Sequence, residues 1–600
     1  MLTRILSAFA ALCLIPQLIA ARPNILFITV DDMNCDSVGA FGCRLPDTTP
    51  HIDRLARQGI RFNRAHVVVG NCMPSRNCML SGRYPHNNRV EGFYPVPDKD
   101  YPVLCDLMKD AGYFTAIRGK VSHSTPFSPY AWDLILDNAD GNKEHPKDVA
   151  SYHRSTAAGI AAARKADRPF CLVINVSDPH KPFYATDKRG APTDDPHRPS
   201  RTFSTDEVPV PGFLFDDPEV RRELAQYYST VRRADDCVGA ILRALKESGQ
   251  DRNTIVVFLS DHGMPLPFAK TAVYHHSTRT PLIVRWPDVA KPGARDDHHM
   301  VSGVDILPTF LDFAGIPQPA GIDGRSFAPL VRGGQQDQRD FVIKEYNENS
   351  GGARHPMRSI QTRRFCYIYN PWSDGRRVFK TATQGTLTYR RMQALAATDA
   401  AVAARLELFD HRVSEEFYDV EKDPDCLHNL INEPTAQKEL KRHRKLLESW
   451  MAQTGDHVLP AFQQRGNPAV SAAYMEQVEK ESAVRRAAKP KGKGGRRTTG
   501  KLIRLQIPES IIPGQPAVVR VAHQLSPALG VQKLHVTLKA GRDLARVDRQ
   551  IVDIKGRGTA EITFAIPAEV KDRTVAFAAF VGADYSQSLQ HLATKPIRLK

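Results

Sequence analysis

Three short runs of apolar residues constrain the fold of this sequence more than any other feature. Each run is followed by acidic or histidine side chains, and each is typical of a strand buried on both faces. The runs cover residues 24–30, 170–176 and 255–259. Helical patterns at 51–59 and 219–247 lie between them. Strands that alternate with helices predict an α/β fold with a mostly parallel sheet.

The side chains that follow these strands define a candidate binding edge. Asp31 and Asp32 follow the first strand, His180 follows the second, and Asp261 and His262 follow the third. The carboxyl ends of parallel strands meet at one edge of a sheet, where α/β folds bind their ligands. Carboxylate oxygens are the ligands that calcium and magnesium prefer. Asp31, Asp32, Asp261 and His262 therefore predict a site for one hard cation, with capping of the following helices as the structural alternative.

Composition and patterning divide the 600 residues into several parts. Residues 1–21 combine a basic start with an apolar stretch and small residues, which predicts a signal peptide and a secreted or periplasmic protein. The α/β pattern covers 22–355, and short strands with a closing helix predict an α+β subdomain over 356–460. Residues 461–500 are polar and basic and are expected to form a linker. Alternating short strands over 501–600 predict a β-sandwich.

The formal net charge of +16 favours an anionic partner. Eight of the positive charges lie between residues 485 and 501, in a stretch with no acidic residue. Nucleic acid, an acidic membrane face or a sulfated polysaccharide would suit such a surface, and a solvated tail is the alternative. No run after the signal peptide approaches the length of a membrane helix. We expect neither a nucleic-acid partner nor a stable membrane span.

The most specific motif lies at residues 72–83, CMPSRNCMLSGR. It matches the pattern Cys-x-Pro-Ser-Arg followed by Leu-Ser-Gly, so the chain resembles the formylglycine-dependent sulfatases of the alkaline phosphatase superfamily. The resemblance covers residues 22–460. It implies an alkaline-phosphatase-like α/β sandwich with a large mixed, mostly parallel sheet and a smaller α+β C-terminal subdomain. The predicted β-sandwich at 501–600 lies outside the resemblance.

The resemblance also implies the nucleophile and the metal. Cys72 would be oxidised to formylglycine by a formylglycine-generating enzyme or an anaerobic maturase, and the hydrate of formylglycine would attack sulfur. One calcium ion is the expected cofactor. Its implied ligands are Asp31, Asp32, Cys72, Asp261 and His262. The last of these stands where many members of the family have asparagine, and iduronate sulfatases resemble the Asp-His form.

The remaining catalytic residues are also implied by the resemblance. Arg76 would stabilise the hydrate, Lys120 would contact sulfate, and His123 would contact the formylglycine hydroxyl. His180 would act on the leaving group, and Lys270 would bind sulfate from the other side. Fixed cations aimed at a transferring anionic group are the main electrostatic contribution to such a reaction.

Two features point to different substrates. The compact segment over residues 260–270 and the motif at 355–359 resemble heparan N-sulfatases, whereas the spacing from Lys120 to His123 resembles iduronate-2-sulfatases. We expect removal of N-linked sulfate from glucosamine in heparan-type glycans. The alternatives are an O-sulfatase such as an iduronate-2-sulfatase, a phosphoesterase of the same superfamily and a non-catalytic extracellular glycan-binding protein.

Overall fold

The computed structural model describes most of the chain after the predicted signal peptide, which lies outside the described residues. The described residues are 22–94, 96, 99–125, 132–138, 144–487, 497–499, 502–526, 529–541, 544–570, 573–582 and 588–599. Within these ranges, no helix combines the length and apolar character needed to cross a membrane.

The first part of the chain alternates strands with helices. Its strands are β1 (Asn24–Asp31), β2 (Ile60–Phe62), β3 (Ala65–His66), β4 (Phe114–Arg118), β5 (Leu134–Ile135), β6 (Phe170–Pro179), β7 (Thr254–Ser260), β8 (Leu282–Arg285), β9 (Ala294–Asp296), β10 (Val301–Ser302), β11 (Phe341–Glu348), β12 (Arg354–Thr362), β13 (Phe365–Tyr369) and β14 (Glu415–Asp419). Its helices are α1 (Pro50–Gln58), α2 (Cys72–Ser81), α3 (Pro85–Asn88), α4 (Leu104–Asp110), α5 (Val121–Ser124), α6 (Val149–Lys165), α7 (Pro218–Glu247), α8 (His275–Thr278), α9 (Ile306–Ala314), α10 (Ala328–Val331), α11 (Leu387–Leu395), α12 (Ala400–His411), α13 (Gln437–Thr454), α14 (Leu459–Gln463) and α15 (Pro468–Ala487).

An eight-stranded mixed sheet in the order β5-β4-β6-β1-β7-β8-β2-β9 forms the centre of this part. The three predicted strands are its neighbours β6, β1 and β7, and both pairings are parallel. Successive side chains of β1 face opposite sides of the sheet. Leu26 and Ile28 belong to the core that includes α7, whereas Phe27 packs on Phe310 of α9 with ring centroids 5.1 Å apart. The predicted α/β fold with a large, mostly parallel sheet is therefore confirmed.

A four-stranded antiparallel sheet, β11-β12-β13-β14, follows the main sheet. Its first strand lies within residues 22–355, so the boundary predicted at 355–356 is wrong because it separates β11 from its partner β12. The apolar start of β11 resembles the preceding α/β region in sequence, and only its long-range pairing assigns it to the second sheet.

The linker predicted over 461–500 is also wrong for residues 468–487, which form helix α15. Met475 and Val478 are fully buried, and Ser482 Oγ donates a hydrogen bond to Glu348 Oε2 at 2.9 Å. Ten of the twenty residues of this helix are apolar, and the basic residues that suggested a linker begin only at Arg485.

The C-terminal part contains two antiparallel sheets. Its strands are β15 (Arg497–Thr499), β16 (Ile503–Gln506), β17 (Pro516–Gln524), β18 (Gln532–Ala540), β19 (Ala545–Ile554), β20 (Arg557–Ala565), β21 (Thr574–Val581), β22 (Gln590–Ala593) and β23 (Ile597–Arg598). Val519, Val536 and Phe577 belong to one core between the sheets. The extra C-terminal β-domain is confirmed, although the sequence did not predict β19, which is exposed along most of its length.

Candidate active site

The carboxyl ends of four adjacent strands form the site. In the sheet order β4-β6-β1-β7, these strands end beside Lys120, His180, Asp31 and Asp261. Asp32 follows β1 in a left-handed backbone conformation with a φ angle of 73°. The structure thus brings residues from four distant segments to one sheet edge, as parallel strands require.

Cys72 is the first residue of α2 and faces this edge. Its Sγ lies 3.3 Å from His262 Nε2 and 3.5 Å from Asp31 Oδ1. Ser75 Oγ, one turn further along the helix, donates a hydrogen bond to the carbonyl of Asp261 at 2.7 Å. The Cys-x-Pro-Ser-Arg motif therefore fixes the start of the helix against the end of β7.

The thiol of Cys72 is held in its protonated form. Burial, and then the neighbouring charge of Asp31, raise the pKa of the Cys72 thiol far above its ordinary value. The thiolate is the nucleophilic form of cysteine. An unmodified Cys72 is therefore a poor nucleophile at neutral pH.

Four of the five predicted metal ligands form one compact group. Ligand atoms of Asp31, Asp32, Cys72 and His262 all lie within 4.8 Å of one another. His262 Nδ1 lies 3.0 Å from the carbonyl of Gly263, to which it can donate, and this leaves Nε2 directed at Asp32 Oδ1, 3.1 Å away. The second ring nitrogen thus orients the first, as is usual for histidine ligands.

The fifth predicted ligand, Asp261, borders this group and is not part of it. Its Oδ1 accepts a hydrogen bond from the backbone N–H of Asp32 at 3.1 Å, and its Oδ2 lies 2.8 Å from Arg76 Nη2. Burial, and then the charge of Asp31, raise the pKa of Asp261 to about 6. The structure therefore directs this carboxylate toward Arg76 as well as toward the ligand group.

The donor set fits a divalent cation. Asp31 Oδ2 and Asp261 Oδ2 are buried, and Lys120 and Arg76 contact them as ion pairs without a well-aligned hydrogen bond. A buried carboxylate is costly unless its charge is compensated. Hard cations prefer carboxylate oxygens. Asp31, Asp32 and His262, together with the group at position 72, would hold such an ion.

A buried lysine, Lys270, and a half-buried lysine, Lys120, flank the carboxylates. Lys270 Nζ lies 2.7 and 2.8 Å from the two oxygens of Asp32, and Lys120 forms an ion pair with Asp31. Burial lowers the pKa of each lysine, but the adjacent aspartates raise both pKa values above the ordinary one. With Arg76, the site holds as many permanent cations as carboxylates. A bound divalent cation would leave a positive surplus that suits an anionic substrate.

Asn175 links Arg76 to the backbone beside Lys120, and sequence reasoning missed it. Arg76 Nη1 donates to Asn175 Oδ1 and to Thr29 Oγ1, both at 2.6 Å. Asn175 Nδ2 donates to the carbonyl of Gly119 at 2.8 Å. A Cβ at Gly119, where φ is 67°, would lie 2.7 Å from the Asn175 carbonyl oxygen. A single polar residue inside the apolar run at 170–176 was the available signal.

The two predicted catalytic histidines are neutral in this setting. Burial, and then the charge of Lys120, lower the pKa of His123 to about 3, and its buried Nδ1 has no hydrogen-bond partner among the described residues. Burial also lowers the pKa of His180, although Asp32 and Asp31 oppose this effect. Both rings are therefore available as proton acceptors.

The position of His180 is set by a buried charge network that the sequence did not reveal. Lys147 Nζ pairs with Asp178 and donates to the carbonyl of His180 at 2.8 Å. Arg233 Nε donates to Asp178 Oδ2 at 2.6 Å. Lys147 lies just before α6 and Arg233 lies on α7, so only the fold brings them together.

Comparisons with known proteins agree with this geometry. A family model described as Sulfatase matches residues 23–316, and one described as N-sulphoglucosamine sulphohydrolase, C-terminal, matches residues 261–374. Human N-sulphoglucosamine sulphohydrolase is 30% identical over 488 residues, which are 75% of this chain and 94% of that protein. The chain belongs to the sulfatase family. This sulfatase is therefore a sulfuric ester hydrolase, of a family that generally uses formylglycine and a divalent metal ion.

Two further similarities concern glycan sulfatases. The Delta 4,5-hexuronate-2-O-sulfatase of Bacteroides thetaiotaomicron is 24% identical over 74% of this chain and 92% of that protein. A solved structure described as a 2-O GAG sulfatase is 22% identical, with a TM-score of 0.54 over 75% of this chain and 96% of that one. The second similarity supports the fold alone.

Proposed function

We propose that this sulfatase hydrolyses N-linked sulfate from glucosamine units of heparan-type glycans, through a formylglycine made from Cys72 and one bound calcium ion. The observation that carries the nucleophile is the buried, protonated thiol of Cys72 at the start of α2, within 3.5 Å of Asp31 and His262. Its substrate class is supported by the human relative and by the C-terminal family model, which spans Asp261 and Lys270.

Formylglycine at position 72 would supply, as its hydrate, one hydroxyl as the nucleophile toward sulfur and a second whose deprotonation would release sulfate. The divalent cation supplies charge that favours the ionised hydroxyl and the sulfate oxygens. Asp31, Asp32 and His262 would hold the cation, with Asp261 completing the set. The thiol itself would remain inert, so modification is required for turnover.

The cations of the site would bind and orient the sulfate group. Lys120 and Lys270 approach the ligand group from β4 and from the loop after β7, so they would contact sulfate oxygens from different sides. Arg76 would hold the residue at position 72 and balance the charge of Asp261. These groups are fixed before substrate arrives, which is what makes electrostatic stabilisation effective.

The histidines would move protons. His123 and His180 are neutral in the free protein, and an anionic substrate raises the pKa of a neighbouring imidazole. His123 would take a proton from the hydroxyl of formylglycine, and His180 would deliver one to the departing nitrogen. The network of Lys147, Asp178 and Arg233 would hold the second ring in place.

An O-sulfatase that acts on 2-O-sulfated uronate is the second candidate. The hexuronate-2-O-sulfatase relative and the spacing between Lys120 and His123 favour it. A phosphoesterase of the same superfamily is less well supported, because position 72 is a cysteine within the sulfatase motif. A non-catalytic glycan-binding protein would not need the full set of ligands and cations. Export to the periplasm or the exterior is part of the proposal and depends on residues 1–21.

Two measurements test the proposal. Mass spectrometry of the peptide spanning residues 64–83, from protein matured in its own host, should detect formylglycine in place of Cys72. Sulfate release should then be compared on N-sulfoglucosamine, on 2-O-sulfated uronate and on a matched phosphate ester. A fully active preparation with unmodified Cys72 would refute the nucleophile. Release from 2-O-sulfated uronate without release from N-sulfoglucosamine would refute the substrate.

A further inference from the structure

A basic cleft lies on the C-terminal subdomain, between α13 and the turn after α14. Its volume is about 480 Å³. The lining residues, here called the α13 cleft, are Gln437, Lys441, Arg444, Lys445, Glu448 and Arg465. None of them belongs to the candidate active site. A volume of this size is within the range of small-molecule sites.

The two arginines of the α13 cleft are fixed from below by one carboxylate. Glu415 Oε2 accepts a hydrogen bond from Arg444 Nε at 2.7 Å and lies 3.4 Å from Arg465 Nε. Tyr367 Oη donates to the same oxygen at 2.5 Å. Both arginine side chains remain 27% exposed. Because Nε is used for this contact, the terminal nitrogens of Arg444 remain for a ligand in the cleft.

The two lysines of the α13 cleft have no ionic partner among the described residues. Lys441 and Lys445 are exposed and stand one helical turn apart on α13. Like charges at this spacing destabilise a helix. Four cations therefore line the cleft, against Glu448 in its wall and Glu415 beneath it. The two carboxylates compensate half of these four charges, and the remaining positive charge suits an anion.

We propose that the α13 cleft binds a sulfated segment of the glycan chain, at a distance from the unit that is hydrolysed. This inference rests on the proposed function for its substrate class. The guanidinium fork of arginine matches the oxygens of an oxyanion, and the mobile lysines tolerate different positions of neighbouring sulfates. A glycan chain long enough to reach both the cleft and the active site would be held at a higher local concentration, as a second contact on the same ligand does.

The test measures binding with turnover removed. A test variant and a control variant are made in the Cys72→Ala background. Their affinity for a heparin octasaccharide is measured by calorimetry at physiological salt. Lys441→Glu with Lys445→Glu should weaken binding about tenfold, since two attractive contacts become repulsive. The matched control is Lys188→Glu with Lys291→Glu, which changes net charge equally at two exposed lysines outside the cleft. Its affinity should stay within about twofold of the parent.

Three outcomes would overturn the proposal. The first is unchanged octasaccharide affinity in the Lys441/Lys445 variant, and the second is equal weakening in the control, which would indicate general electrostatic attraction. The third is full displacement of the octasaccharide by an equimolar amount of inorganic sulfate, which would indicate a site for a small anion. Thermal melting confirms that both variants are folded. Failure of wild-type protein to release sulfate from N-sulfoglucosamine would refute the proposed substrate and leave this binding result intact.

Discussion

The contact from Asn175 to Arg76 allows a quantitative prediction for catalysis. Asn175→Ala removes the 2.6 Å hydrogen bond to Arg76 and the 2.8 Å bond to the Gly119 carbonyl. A hydrogen bond to a charged group contributes about 1.5–3 kcal/mol, and one between neutral groups about 1 kcal/mol. We expect the free energy of unfolding to fall by about 2.5–4 kcal/mol in total, the sum of these two contributions.

The same substitution should slow turnover. A loss of about 2 kcal/mol in the orientation of Arg76 and of the turn that carries Lys120 corresponds to a decrease of about 30-fold in kcat/KM. The assay is sulfate release from N-sulfoglucosamine, measured below the melting temperature of every variant. Thr29→Val is the comparison, because it removes the 2.6 Å contact to Arg76 and leaves the Asn175 link to Gly119 intact.

Asn175→Ala should lower kcat/KM more than Thr29→Val does. The effect of Asn175→Ala on kcat/KM should also be smaller in a Lys120→Ala background, since residues that act together are not additive. Full additivity with Lys120→Ala, or unchanged kcat/KM in folded Asn175→Ala, would refute the role assigned to Asn175. Peptide mass spectrometry should first establish that both variants carry the same modification at Cys72.

Three further predictions concern stability. Calcium in 100-fold excess over its Kd should stabilise chelator-treated protein by about 2.7 kcal/mol in thermal melts. The Asp31→Asn variant should lose this stabilisation. An equal stabilisation of the variant would place the ion elsewhere. Burial lowers the pKa of His86, but Glu345, 2.8 Å away, outweighs burial and raises this pKa overall. The pair therefore stabilises the fold below pH 6.5, and its contribution is lost as pH rises through the pKa of the folded state. Urea denaturation between pH 6 and 9 should therefore show a shallower pH dependence for His86→Gln, and an identical slope would contradict the assignment. Arg358→Met should lower the free energy of unfolding by about 3–5 kcal/mol, because Asp456, which lies 2.5 Å from Arg358 Nε, would become a buried uncompensated charge. A loss under about 1 kcal/mol, measured by urea titration, would refute this prediction.

The sequence predicted the centre of the fold because β1, β6 and β7 are buried on both faces. Such strands are continuous apolar runs, and the residues that end them are visible in the sequence. It did not predict the second sheet correctly, since β11 joins β12 by a long-range pairing. The packing of α15 depends on buried apolar residues such as Met475 and Val478, and the basic run that begins at Arg485 obscured this helix in the sequence.

For the site, the sequence predicted the residues that the motifs carry and missed those that only the fold brings near. Asn175, Lys147 and Arg233 lie in no motif, yet they contact Arg76, Asp178 and the backbone of His180. The assigned catalytic and metal roles remain predictions, and so do the domain boundaries outside the corrected segments. The geometry of Asp261 could not be derived from spacing, because its orientation depends on Arg76.

The burial of α2 determines when this enzyme can be made competent. All ten residues of the helix are buried, and Cys72 is only 3% exposed. A modifying enzyme must surround its target peptide, so the proposed conversion of Cys72 would have to occur on the nascent or unfolded chain. The modification would therefore have to be complete before the chain folds. Folded, unmodified protein incubated with a maturation enzyme should stay inactive, and activation without prior unfolding would contradict this order of events.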